Sequence, residues 1–320
     1  MKSRIAALLL LCCTGLAQAA SPTVLQRPIS LDTDQGTLHG SLLLPQGDTP
    51  PPVVLIIAGS GPTDRDGNNP AGGRVDNLKR LALLLANEHI ASVRYDKRGV
   101  AASQPATPDE RNLSVERYVE DVAAWGHKLK ADPRFGPLIL VGHSEGALIA
   151  SLAAEPAGAS AVITLAGSGR PVADVLREQL AQRLSRRDLA RGNALLDRLQ
   201  AGQTSLDVPG PLRQVFRPSV QPYLISLFQQ DPAAAFARLD MPALIIQGRN
   251  DVQVDVADAE RLKQARPQAD LALIDGMNHM LRISPRDMSE QRESYNNPEL
   301  PLARELGERI VTFIHGLPSS

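Results

Sequence analysis

The segment Gly142-His143-Ser144-Glu145-Gly146 sets a serine between two glycines, directly after the apolar run 138–141 and ahead of the alanine- and leucine-rich stretch 147–154. A G-x-S-x-G sequence at a strand–turn–helix junction holds its serine in a strained backbone conformation and lifts the hydroxyl above the sheet, and the glycines leave room for so sharp a turn. The helix that follows directs its N-terminal dipole at the hydroxyl, which favours developing negative charge there. The chemistry this predicts is nucleophilic attack by Ser144 on an acyl carbon. A serine hydroxyl is a poor nucleophile until a base takes its proton, so a histidine and an acid must be brought to it.

Two histidines follow Ser144, His279 and His315. His315 closes the amphipathic pattern 302–314 and reads as a surface or packing residue. His279 follows the apolar run 271–274 across the short loop Asp275-Gly276-Met277-Asn278, which returns it to the strand edge expected to carry Ser144. His143 is expected to be structural, and His39, His89 and His127 precede the serine. The acid is expected in a loop after a strand between Ser144 and His279. The run 243–246 is that strand, and Arg249-Asn250-Asp251 is the loop. Asp251 would accept a hydrogen bond from one imidazole nitrogen, fix the tautomer and stabilise the imidazolium. Asp255 competes for the role, but it stands one residue before the helical stretch 256–265 and is accounted for as an N-cap. A tetrahedral oxyanion also needs donors. The backbone N–H of Glu145 is one; the second is expected from Ala58-Gly59-Ser60-Gly61-Pro62, with Ser60 N–H first and Gly61 N–H the alternative.

The elements that must position these residues are legible as alternating patterns. Residues 24–31 and 37–44 read as strands, and 53–57, 91–95, 138–141, 161–165, 243–246 and 271–274 are apolar runs of the kind that form strands buried on both faces. Helical patterns at 75–87, 114–130, 147–154, 256–265 and 302–314 lie between or after them. Strand–helix alternation predicts an α/β fold with a mostly parallel sheet flanked by helices. Open parallel sheets bind ligands beyond the carboxyl ends of their strands, where Ser144, Asp251 and His279 are all expected. Residues 170–239 interrupt the rhythm with helical stripes and no strand, which predicts a helical cap inserted before the acid-bearing strand, the alternative being an ordinary helical layer. The catalytic domain is then 20–169 with 240–320.

Composition narrows the classes. The 320 residues carry 34 basic and 35 acidic side chains, with no basic run, so nucleic acid is not an expected partner. Residues 1–19 have Lys2 and Arg4, an apolar core and the small-x-small ending Ala17-Gln18-Ala19, the pattern of a cleaved secretory signal peptide, too short for a spanning helix. Cleavage there removes Cys12 and Cys13, both cysteines of the chain, and leaves 32 basic against 35 acidic residues. The expected product is exported to the periplasm or medium without disulfides, thiol nucleophile or stable membrane insertion. Neither a cofactor nor a metal is expected: Gly59-x-Gly61 lacks the third glycine of a dinucleotide fingerprint, and in "TDRDGN" the glycine comes too early for a calcium loop. Asp64, Arg65 and Asp66 are expected to brace the oxyanion loop instead, and Trp125 to lie in the core.

Taken in order, the blocks resemble the α/β-hydrolase superfamily, and within it secreted acyl esterases of the aminopeptidase-like branch. These blocks are "GSGPTDRDGN" (59–68), "RYDKRG" (94–99), "GHSEG" (142–146), "GRNDVQV" (248–254) and "GMNH" (276–279). The match spans the catalytic domain and thins through 170–239. In "RGVAAS" the chain departs from the pattern, since such proteins often have glycine in place of Ala101 or Ala102. The resemblance implies hydrolysis of a small-molecule carboxylic ester through an acyl-enzyme. An aminopeptidase or amidase with the same triad is the alternative, and a hydrolase fold that only binds a ligand is a third reading.

Overall fold

A computed structural model describes residues 23–318; the expected signal peptide, with Cys12 and Cys13, lies outside them. The chain begins with β1 (Val24–Thr33), β2 (Gly36–Pro45) and β3 (Val53–Ile57), then α1 (Asn77–Asn87), β4 (Ala91–Tyr95), α2 (Val115–Lys130), β5 (Leu138–His143), α3 (Glu145–Ala157) and β6 (Ala161–Leu165). The helices α4 (Val172–Arg183), α5 (Arg186–Gln200), α6 (Gln221–Phe228) and α7 (Pro232–Ala237) follow without a strand. The chain then returns to the sheet with β7 (Ala243–Gly248), α8 (Val256–Ala265) and β8 (Asp270–Ile274), and ends with α9 (Met288–Ser294) and α10 (Arg304–His315).

The strands form one sheet in the order β1-β2-β4-β3-β5-β6-β7-β8. Only the β1–β2 and β2–β4 pairs are antiparallel; from β4 to β8 the sheet is parallel. This is the α/β-hydrolase architecture. The continuous apolar runs are explained by burial on both faces. In β3, Val53, Leu55 and Ile57 enter one core with α2 and α3, while Val54 and Ile56 enter the other with α1 and α10. A strand whose side chains alternate between two cores cannot carry a polar face, which is why alternation disappears from the sequence at its centre. Trp125 of α2 is fully buried against Tyr95 of β4.

Two local features depart from the sequence reading. Helix α1 starts at Asn77 rather than Val75, because Asn68 Oδ1 takes the N–H groups of Val75 and Asp76 and holds Asp76 in a left-handed turn at φ 54°. Helix α9 has no counterpart in the sequence reading; it is short, is capped by Asp287 accepting from Ser289 N–H, and carries no apolar stripe to mark it.

Helix α6 and the residues just before it are tied to α2 and to the segment that leads into it. Arg217 pairs with Glu110, Val115 N–H donates to Ser226 Oγ at 3.0 Å, and Tyr223 meets Tyr118 edge-on at 5.6 Å. A cavity of about 660 Å³ opens between these elements and the loop after β3, with Gly61, Glu145, Tyr118, Val220 and Tyr223 on its wall.

Candidate active site

Ser144 stands where β5 ends and α3 begins, at φ 55° and ψ −120°, a conformation a non-glycine residue adopts only when its surroundings impose it. The surroundings are backbone. A Cβ on Gly142 would lie 2.1 Å from Gly146 O, and one on Gly146 would lie 2.3 Å from Ile57 O. The two glycines therefore let α3 start directly against β5 and β3. Ser144 N–H donates to Leu165 O at 2.8 Å, which anchors the turn to β6.

Asp251 and His279 reach the same edge from β7 and β8. Gly248 ends β7 where a Cβ would fall 2.0 Å from Met277 O, so the two loops run in contact. His279 Nδ1 lies 2.8 Å from Asp251 Oδ2. Asp251 Oδ1 accepts from the N–H groups of Gln253 and Val254 at 2.7 and 3.0 Å, and Oδ2 also accepts from Gln247 Nε2 at 3.2 Å. Burial alone would raise this carboxyl; His279 and the backbone donors outweigh it and hold it below the usual carboxylate range. An ionised Asp251 can only accept, so Nδ1 carries a proton, and in the neutral imidazole the lone pair is on Nε2. Asp255 caps α8 instead, accepting from Ala257 N–H at 3.1 Å.

His143 brings the histidine loop to the serine. Its Nε2 lies 2.8 Å from His279 O and its ring sits 4.9 Å from the His279 ring. Burial, with His279 as the second cause, pushes its pKa down to about 4, so it is neutral and donates from Nε2. His315 is on the exposed end of α10, its Nε2 3.2 Å from Glu88 O.

The loop after β3 passes directly over Ser144: a Cβ on Gly59 would touch Ser144 Cβ at 3.2 Å. Among the described residues no acceptor takes the Ser60 N–H. The acidic segment behind it is a brace. Arg65 binds Asp96 through its backbone N–H and its guanidinium at 2.8 and 2.6 Å, Asp66 pairs with Arg94 at 3.0 Å, and Asp64 accepts from the N–H groups of Asp66 and Asn68. Asp96 also accepts from Ala102 N–H at 3.1 Å. The departure noted in "RGVAAS" has a structural counterpart: Ala101 occupies the left-handed region at φ 43°.

The sequence reading missed the supports. Gln247 holds Asp251, Gln291 of α9 donates to Asn250 O at 2.8 Å, and Asn278 spans the histidine loop by accepting from Met280 and Arg282 N–H and donating to Ser294 Oγ. It also missed Lys97, whose side chain is 1% exposed and whose ammonium donates to Gly59 O. The available signal was a lysine two residues after a buried strand, where an unpaired charge is costly.

A family model described as serine aminopeptidase, S33, matches residues 71–285, which hold Ser144, Asp251 and His279. The chain belongs to the serine aminopeptidase family. Among its relatives is the esterase EstD of Thermotoga maritima, 29% identical over 248 residues, which are 76% of this chain and 58% of EstD. The chain thus spans less than two thirds of that relative. Among solved structures, Est1E of Butyrivibrio proteoclasticus with ferulic acid bound superposes with a TM-score of 0.61 at 17% identity, over 90% of this chain and 98% of that one. DcsB in complex with its substrate analogue gives 0.60 at 15% identity, over 92% of this chain and 100% of that one. At these identities the superpositions show that this member of the serine aminopeptidase family shares their fold.

Proposed function

We propose that the chain is an exported serine hydrolase that cleaves carboxylic esters through an acyl-enzyme. In this mechanism His279 Nε2 takes the proton of Ser144 Oγ as Oγ bonds to the ester carbonyl carbon. Asp251 steadies the resulting imidazolium, and the N–H groups of Ser60 and Glu145 receive the oxyanion. Collapse expels the alkoxide, protonated by His279; water then attacks the acyl-serine by the same route and releases the acid. The named esterase relative supports the ester reading, as does the cavity beside Glu145, whose wall includes Tyr223 of α6 and Arg217, Ser219 and Val220 just before it.

The observation that carries ester over aminoacyl amide is the state of the carboxylates. An aminopeptidase must hold a substrate ammonium in a site poor in water, which requires a free carboxylate. The carboxylates on the cavity wall are Asp109, Glu110 and Glu145; Asp109 and Glu110 are paired with Arg111 and Arg217, and Glu145 faces the Lys97 ammonium across 3.7 Å. The segment 170–240 adds ten arginines against seven acids, a field unfavourable to a cationic substrate. The family's description keeps the aminopeptidase as the second reading.

Steady-state kinetics on short-chain aryl esters and free-amine aminoacyl arylamides with matched leaving groups decide between them. Esters are expected to lead in kcat/KM by at least about tenfold, roughly 1.4 kcal/mol; equal or faster amide cleavage transfers the assignment to the second reading. Ser144→Ala should keep its fold and lose reaction with a fluorophosphonate probe and more than about 99% of turnover. A wild-type protein inert to the probe would be a binding protein. Export is tested by N-terminal sequencing of secreted or periplasmic protein, with Ala20 expected first and a retained Met1 against it.

A further inference from the structure

We propose that Lys97 is a positioning residue of the oxyanion hole, holding the Gly59–Ser60 peptide so that its N–H points at the reacting carbonyl oxygen. The inference rests on Ser144 being the nucleophile, and goes beyond it in assigning work to a buried cation outside the triad.

Lys97 follows β4 by two residues and lies between two charged neighbours that are already engaged, Asp96 with Arg65 and Arg98 with Asp121. Its own ammonium is fully buried. Burying such a charge costs several kcal/mol unless partners take it up. One partner is the carbonyl oxygen of Gly59, which accepts a hydrogen bond, and the other is Glu145 Oε1 at 3.7 Å, with the Tyr118 ring 5.3 Å away. Gly59 O belongs to the peptide whose other end is the Ser60 N–H. Glu145 owns the second expected donor. One cation therefore contacts both residues on which the hole depends.

The consequence follows from peptide geometry. In a trans peptide the C=O and N–H point in opposite directions, so a group that holds the oxygen on one side fixes the N–H on the other. The loop needs such a hold, because Gly59-Ser60-Gly61 is glycine-rich and free to turn its peptide over. Turned over, it would present a carbonyl where the oxyanion must develop. Lys97 ties that oxygen down, and the absence of a side chain at Gly59 lets the loop lie close to Ser144 Cβ. A charge-assisted bond to the carbonyl also polarises the peptide and strengthens its N–H as a donor. The Glu145 side chain, 5% exposed, balances the charge, so the ammonium is held in place rather than expelled.

The experiment uses Lys97→Met, which removes the charge and the donor at similar length, and Lys97→Gln, which restores a neutral donor. The readouts are kcat and KM on the best substrate, and Ki for a matched trifluoromethyl ketone, which forms a tetrahedral oxyanion adduct with the active serine. Urea midpoints report folding. Lys97→Met is expected to lower kcat by about 10- to 100-fold with KM changed less than about threefold, and to raise the ketone Ki by a similar factor. Lys97→Gln should recover part of both. If Lys97→Met does not fold, Lys97→Gln decides alone, with a loss in kcat of at least about threefold and a matching rise in Ki expected. Unchanged kcat in a folded variant overturns the proposal, and so does a fall in kcat with the ketone Ki unmoved, which a merely structural defect would give. A wild-type protein inert to the ketone sinks the nucleophile reading itself; a reactive wild type with unaffected variants sinks only the role of Lys97.

Discussion

Asp251 and Asp255 are four residues apart and chemically identical, and what separates them is what they touch. Asp251 accepts from His279 and from two backbone N–H groups inside the protein, whereas Asp255 accepts from a helix N–H in an exposed position. Asp251→Asn should therefore turn the imidazole to the wrong tautomer and lower kcat by on the order of 10⁴. Asp255→Asn should leave kcat within about twofold and change stability by less than about 1 kcal/mol, since asparagine caps as well as aspartate. Paired steady-state kinetics and urea titrations check both, and the reverse ranking moves the acid. His143 makes a prediction in pH. Its folded pKa of about 4 is below the unfolded value near 6.5, so the folded state binds fewer protons between them. Its contribution to stability is whole above about pH 6.5 and is lost as pH falls toward 4. His143→Gln, which keeps a donor for His279 O without a titrating ring, should flatten that loss by on the order of 2 kcal/mol at pH 5. Urea midpoints of both proteins at pH 7 and pH 5 measure it; parallel slopes would count against a buried neutral His143.

At the scale of elements, the site is made by loops that touch only because glycines admit backbone against backbone. Gly146→Ala would place a methyl against Ile57 O and force α3 away from β3, so a loss of about 3 kcal/mol in unfolding free energy and a large loss of turnover are expected together. The loop after β4 holds strain of the opposite kind. Ala101 sits at φ 43° while Ala102 N–H holds Asp96, so the strained residue lies within the brace of the loop after β3. Ala101→Gly should relieve a steric cost of about 1 kcal/mol, partly offset by the greater freedom of glycine in the unfolded chain. A rise in urea midpoint is the expected result, and a fall would mean that the backbone at this position is not strained.

For the whole molecule, the expected cleavage after Ala19 falls four residues ahead of β1, and β1 is an edge strand paired along its length with β2. A chain starting at Ala20 should therefore be folded and active, with the same urea midpoint with and without a thiol reductant, because no cysteine remains. A chain starting at Gln35 would expose the edge of β2 and should aggregate. Analytical gel filtration of the two proteins distinguishes these outcomes.

The sequence by itself determined the sheet strands, since a run such as 53–57 is apolar on both faces only if both faces are covered. It also placed Ser144, Asp251 and His279 at the sheet edge, because each stands after such a run. Short elements without an apolar period escaped it: α9 is held by polar contacts from Gln291 and Asn278, and these leave no repeat to read. The start of α1 escaped as well, because it is decided by Asn68, seven residues upstream of the first N–H it binds. Only the tertiary structure decided that Gln247 supports Asp251, that Glu110 on the cavity wall already has Arg217, and that Lys97 meets Gly59 across 38 residues of chain. Periodicity reports which face of an element is buried. It carries no information about which buried polar atoms find each other, because that pairing depends on distances between elements that only packing sets.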